Sequence, residues 1–239
     1  MRNLKRALFL FMALIITSCV NAQFRKTIYG NGRILTEERT PADATGIRVS
    51  SGIDVCLRQG DKPELMVEAD ENLHRHIITR IRNGILEISA DAVIRRAKTK
   101  TVYVTLKDIK TVGSSSAGNI TGISAIESDN IHIIASSAGD ILLEVYARKI
   151  NVTVSSSADV TLSGEADILS AVLSSAGSLN AYNLRTREAG VTVSSAGDAN
   201  ICVTEKLKAQ ASSAGDINYK GDPRYIDARA SSAGSIRKK

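Results

Sequence analysis

The stretch ASSAGDI, residues 135–141, would pass for a linker if it stood alone, yet it decides the fold because it recurs. Near-copies read SSAGNI from Ser115, SSSADV from Ser155, SSAGSL from Ser174, SSAGDA from Ser194, SSAGDI from Ser212 and SSAGSI from Ser231. The spacings between their first serines are 21, 19, 19, 20, 18 and 19 residues. A fixed period with one-residue slips is the mark of stacked structural units rather than of low complexity.

The residues around each copy say which unit. Two positions before the second Ser stand Ser114, Ala135, Val154, Leu173, Val193, Ala211 and Ala230, and four after it stand Ile120, Ile141, Val160, Leu179, Ala199, Ile217 and Ile236. Apolar residues at every second position, with polar ones such as His132, Asn151, Thr153 and Gln210 between them, describe strands with one buried and one wet face. No repeat carries a helical pattern. Coils of this kind stack like residues about 4.7–4.9 Å apart in parallel sheets, which predicts an all-β parallel solenoid. In it Gly118, Gly139, Gly177, Gly197, Gly215 and Gly234 are expected at a tight turn where successive backbones lie close. Gly is expected to supply dihedrals that other residues avoid, stacked serines to hydrogen-bond along the column, and the second Ser to mark the inward row.

A chain of 239 residues with 43% hydrophobic and 23% charged content can bury a core. With no Trp and only 4% aromatic residues, that core must be built from Val, Ile, Leu and Ala, and aromatic binding platforms are scarce. The first 22 residues, MRNLKRALFLFMALIITSCVNA, combine a basic start, an apolar run from Ala7 to Ile16 and a small, polar end, which is an export signal. Two endings compete: Val20-Asn21-Ala22 suits ordinary cleavage, whereas Ile16-Thr17-Ser18-Cys19 resembles the bacterial lipobox, in which Cys19 becomes a lipidated N-terminus. Lipidation would place the protein at the outer membrane or cell surface, with that lipid as its one membrane contact; plain cleavage would leave it periplasmic or secreted.

Removing Arg2, Lys5 and Arg6 with the signal lowers the net charge from +6 to +3. The remaining basic residues are scattered among Asp and Glu, so no nucleic-acid partner is expected. Cys56 and Cys202 each alternate with apolar neighbours and read as unpaired thiols on the more polar strand face.

Residues 30–110 are less regular but still β. Gly46–Val49 and Ile53–Leu57 alternate, Gln59-Gly60-Asp61-Lys62 is a turn, and Asn83-Gly84 between Ile78–Ile81 and Ile85–Ile88 is a hairpin signal. Val49-Ser50-Ser51-Gly52-Ile53 reads as a decayed copy of the repeat. One elongated body is expected, with an irregular portion over 30–110 continuous with regular coils over 111–239.

The opening GNGRILTEERTPADATGIRVSSGIDVCLRQGDKPELMVEADENL, residues 30–73, followed by recurring SSAGDI coils, resembles the Bacteroidetes family described as "putative auto-transporter adhesin, head GIN domain". The likeness runs from Gly30 to Gly221 and rests on SSGIDV, QGD and the repeated SSAG. It implies a right-handed parallel β-helix, export and a role in adhesion, and it brings no catalytic motif. The end, Ser235-Ile236-Arg237-Lys238-Lys239, reads as a last coil followed by charge that discourages end-to-end stacking of strands.

Candidate chemistry lies in the position that closes each repeat word, after Gly or, once, Ala158: Asn119, Asp140, Asp159, Ser178, Asp198, Asp216 and Ser235. Stacked carboxylates could hold a cation or form a general acid and base pair. Against that, Asp in a turn caps its own backbone, and Ser and Asn break the column into two acidic pairs. One acidic position per coil cannot supply the roughly six to eight oxygens that calcium takes. His74-X-His76 would set two imidazoles on one strand face, with no third ligand nearby. Gly30-Asn31-Gly32 does not open a helix, so it is no phosphate loop. No catalytic residue, cofactor or metal is therefore expected, and Asn119, Asp140, Asp159, Asp198 and Asp216 remain a candidate binding column. The reading is a non-enzymatic, envelope-associated adhesin that binds a surface ligand, glycan or protein. Its alternatives are a carbohydrate-active β-helix enzyme centred on the Asp column and a periplasmic scaffold.

Overall fold

The computed structural model describes residues 26–40 and 43–239, so the export segment and Cys19 lie outside the described residues. The N-terminal part contains β1 (Thr27–Tyr29), β2 (Ile34–Glu38), β3 (Gly46–Val49), β4 (Asp54–Gln59), β5 (Glu64–Asp70), a 3₁₀ helix (Glu71–His76), β6 (Ile77–Arg82), β7 (Ile85–Ala90), β8 (Val93–Arg95) and β9 (Lys100–Leu106). The coils follow as β10 (Thr111–Ser114), β11 (Asn119–Gly122), β12 (Ile126–Ala135), β13 (Asp140–Val154), β14 (Asp159–Leu173), β15 (Ser178–Val193), β16 (Asp198–Ala211), β17 (Asp216–Lys220), β18 (Tyr225–Ala230) and β19 (Ser235–Lys238). The chain is 66% strand and forms a β-solenoid of about 7 turns with ~19-residue spacing.

A full coil such as β13 is one long strand bent once. Its inward residues are Ile141, Leu143 and Val145, then Ile150, Val152 and Val154, all buried. The switch from odd to even positions is the bend, and there Arg148 has no ladder partner, while Ala147 and Lys149 pair with Ala166 and Ile168. Each coil therefore has a leading side after the SSAG turn and a trailing side before it. Between the two sides runs one apolar core built from aliphatic residues.

The leading side stacks β2, β5, β9, β4, β11, β13, β14, β15, β16, β17 and β19. The trailing side stacks β6, β7, β3, β10, β12, β13, β14, β15, β16 and β18. Pairing is parallel except at the N-terminal end, where β2–β5, β5–β9 and β6–β7 are antiparallel. Asn83 (φ 52°) and Gly84 (φ 72°) turn the β6–β7 hairpin, as their dipeptide predicts. The decayed copy is real: β3 and β4 pair with β10 and β11, and the Gly52 N–H donates to the Ser116 carbonyl at 2.9 Å.

The SSAG turn works differently from its sequence reading. The left-handed residues are the second Ser and the Ala, Ser137 (φ 52°) and Ala138 (φ 55°) in the opening stretch, and the same two positions in every copy. The second Ser is exposed rather than inward. Two consecutive left-handed residues cost about 1–2 kcal/mol each. They are held by a ladder running along the axis, in which the Ala138 N–H donates to Ser156 O and Ala176 to Ser195 O, both at 3.0 Å. That ladder is made of backbone, not of the serine hydroxyls expected to bond along the column.

Gly serves close approach. A Cβ at Gly139 would stand 2.7 Å from the carbonyl carbon of Ser114, and one at Gly177 would stand 2.8 Å from that of Val154. Ala158 holds this place in the one copy that reads SSSAD, and there the corner opens. The Ala158 N–H reaches Ser155 O at 3.3 Å, against 2.8–3.1 Å for its glycine counterparts.

The two ends differ. At the N-terminal end Arg39 donates to the carbonyls of Ile77 (2.7 Å) and His74 (2.9 Å), which ties the β2 side to the β6 side. The strand expected around His74-X-His76 is instead the 3₁₀ helix, because these residues cross from one side of the body to the other. At the C-terminal end the inward-facing Ile226 is 47% exposed.

Candidate functional site

The column that follows the Gly, or Ala158 in one copy, assembles as the period requires. Asn119, Asp140, Asp159, Ser178, Asp198 and Asp216 lie side by side in successive coils, and the row extends through Asp54 and Thr101. Sequence reading missed the last two because β4 and β9 lack the SSAG word. Burial pushes the Asp198 carboxyl up; a 2.6 Å hydrogen bond from Asn200 Nδ2 opposes this, while Asp216 adds to it. Asn218 Nδ2 in turn donates to Asn200 Oδ1 at 3.2 Å, so the polar side chains here bond to one another along the axis. The clefts at the coil bend, at the Ser51–Gly52 turn and at the N-terminal end include no residue of this column. The column points outward, with Asp140 and Asp159 exposed and Asn119, Ser178, Asp198 and Asp216 half-buried.

His74 and His76 are brought together only to serve the N-terminal end. His74 is buried with Nε2 3.0 Å from Leu35 O, and His76 Nδ1 lies 2.8 Å from Asp91 Oδ1. Among the described residues no cluster of three or more His, Cys, Asp or Glu is placed to hold a metal ion. Cys56 and Cys202 are free and half-buried. Burial, then Asp54 and Glu68, pushes the Cys56 thiol up, which lowers its thiolate fraction.

The most developed surface was not read from the sequence. At the bend of successive coils stand Asp129, Arg148, Asp167, Arg187 and Glu205, positions that the strand ladders skip. Their charges alternate along the axis. Arg148 grips Asp129 with two bonds, Nε to Oδ1 at 2.7 Å and Nη2 to Oδ2 at 3.1 Å. Arg187 donates through Nε to Glu205 Oε1 at 2.9 Å and through Nη1 to Asp167 Oδ1 at 3.3 Å. The arginine bonds hold the carboxyls of Asp129 and Glu205 below their ordinary range. The signal was available: these five residues are 19, 19, 20 and 18 apart, the period of the SSAG turn itself.

Beside the ladder lies a cleft of about 640 Å³ lined by Tyr146, Glu165, Arg185 and the ladder residues Arg148, Asp167, Arg187 and Glu205. Tyr146, Glu165 and Arg185 are neighbours in register, one per coil. Tyr146 donates to Glu144 Oε1 at 2.9 Å and leaves 43% of its surface exposed. That bond to Glu144 raises the phenol pKa, so its hydroxyl stays a neutral donor. Aromatic face, guanidinium donors and carboxylate acceptors sit within one open cleft. Such groups are suited to hydrogen-bonding a polar ligand, and the arginines already pair with Asp129, Asp167 and Glu205.

The family model described as "Putative auto-transporter adhesin, head GIN domain" matches residues 43–223. The chain belongs to this family. Among solved structures, an adhesin candidate from Bacteroides fragilis superposes with a TM-score of 0.84 at 21% identity, covering 89% of this chain and 100% of that one. One from Parabacteroides merdae gives 0.74 at 23% identity, covering 90% of this chain and 99% of that one. A structure from Parabacteroides distasonis, titled as a lipid-binding candidate, gives 0.75 at 23% identity, covering 90% and 100%. No curated protein matches the chain. At these identities the likeness establishes the fold. The head GIN family is described as an adhesin family, so the family assignment points to an adhesin-like role.

Proposed function

We propose that this head GIN protein is an exported, envelope-associated binder of a polar surface ligand, glycan or protein, and that recognition takes place at the bend of the coils. The cleft carries the reading, because it joins an exposed aromatic ring to paired charges repeated along the axis. The family's adhesin description supports the same class of function. Attachment would come from the lipid on Cys19 if that residue is modified, and the long body would then hold the cleft away from the membrane.

Retention of the purified chain on immobilised bacterial glycans and matrix proteins tests this. Arg148→Ala combined with Arg187→Ala should lower retention at least tenfold, whereas Asp140→Asn with Asp198→Asn should leave it unchanged. The paired arginine variants should still fold, since exposed ion pairs are worth about 0–1 kcal/mol each. If retention survives the arginine variant but falls in the aspartate variant, the site is the Asp column and this assignment is wrong. Polysaccharide cleavage that disappears in the aspartate variant would replace the binding reading with an enzyme.

A further inference from the structure

The geometry points to head-to-tail assembly of this protein, in which β19 of one copy adds to the β2 edge of the next. Among the described residues these are the outermost strands of the leading side. β2 is paired only through β5, and β19 only through β17, so among the described residues each presents an unpartnered edge. Free strand edges of this kind are templates for pairing with another chain.

Direction permits the union. β2 is antiparallel to β5, β5 is antiparallel to β9, and every pairing from β9 to β19 is parallel. β2 and β19 therefore run the same way, and translation along the axis brings them together as another parallel pair. Charge then sets the register. β2 reads Ile34-Leu35-Thr36-Glu37-Glu38, and the last residues read Ser235-Ile236-Arg237-Lys238-Lys239.

The inward residues of β2 are Leu35 and Glu37, opposite buried Ala69 and Val67. Those of β19 are Ile236 and Lys238, opposite Ile217 and Tyr219. Setting Ile236 beside Leu35, which is 48% exposed, places Lys238 beside Glu37 and Lys239 beside Glu38. One alignment thus continues the apolar row and sets Lys239 against Glu38, while Lys238 and Glu37, which pair with Asp222 and Arg39 within the chain, add charges of opposite sign beside them.

The terminal lysines consequently act as selectors. They oppose contact between two C-terminal ends, where Arg237, Lys238 and Lys239 would face their own copies, and they favour the acidic edge. The trailing side is one strand shorter, so there the copies meet across a gap of about 4.8 Å bordered by Ile81, Tyr225 and Ile226. Such a contact joins two different surfaces and does not close on itself, so it generates chains of copies rather than dimers.

Sedimentation velocity of the processed protein over a concentration series tests the inference. The expected result is a mass that climbs past the dimer as concentration rises. Glu38 and Lys239 lie outside the ion pairs, so Glu38→Lys and Lys239→Glu should each leave the fold intact while weakening association about fivefold. The double variant Glu38→Lys/Lys239→Glu should recover it, because the reversed charges again face each other. A protein that stays monomeric, a mass that stops at the dimer, or a double variant no better than either single change would overturn the proposal. These outcomes are independent of ligand retention at the coil bend.

Discussion

Asp70 has no exposed surface, yet its carboxylate ends the β5 strand at the N-terminal end of the body. Burial alone would raise its pKa. The backbone N–H groups of Gly32, Lys98 (2.7 Å) and Thr99 (3.3 Å) all donate to it, and together they bring the pKa below the ordinary value. A carboxyl with a depressed folded-state pKa contributes stability that is present above its unfolded value, about 3.9, and is lost as pH falls through the folded value. Acid titration of unfolding should therefore show stability falling below about pH 4, and Asp70→Asn should flatten the part of that slope carried by this residue. At neutral pH the same change should cost about 2 kcal/mol, since an amide nitrogen would face donors that need an acceptor. An unchanged acid limb in the variant would show that other carboxylates carry the slope.

In the turn, Gly177 is sensitive to change, because any Cβ meets the Val154 carbonyl carbon at 2.8 Å. Ala158 shows what one methyl does: hydrogen bonds near it lengthen to 3.3 Å and the coil still closes. Gly177→Ala should thus cost about 1 kcal/mol, and Gly177→Val, whose branch cannot move away from the backbone, about 3 kcal/mol in urea unfolding. Equal losses would mean that the corner is looser than this packing implies. The strand and turn positions were legible in the sequence because period two within a longer period survives in every coil. The dihedrals were not legible, because a left-handed Ser-Ala pair is stable only once the neighbouring turn supplies its hydrogen bond. His74-X-His76 failed for a related reason: alternation cannot distinguish a strand from a crossing whose partners, Leu35 and Asp91, lie 39 and 15 residues away. The charge ladder, by contrast, is written in the same period as the turns but lies at the bend, far in sequence from the SSAG word that marks each repeat.

Over the whole molecule, each coil packs chiefly on its two neighbours, so stability should grade along the axis rather than vanish at once. The central β13, β14 and β15 are covered on both sides, whereas Tyr225 and Ile226 in the last coil are 57% and 47% exposed. Amides of β18 and β19 should exchange with solvent well before those of β14. The two last strands should nonetheless separate as protein concentration rises. Head-to-tail assembly would cover the β19 edge by a β2 strand and slow its exchange, while β18, facing the one-strand gap, gains no backbone partner. Concentration-dependent protection confined to β19 and β2 is therefore the expected pattern. Protection rising equally in β18 and β19 would instead require two C-terminal ends to stack on each other, against the repulsion of Arg237, Lys238 and Lys239.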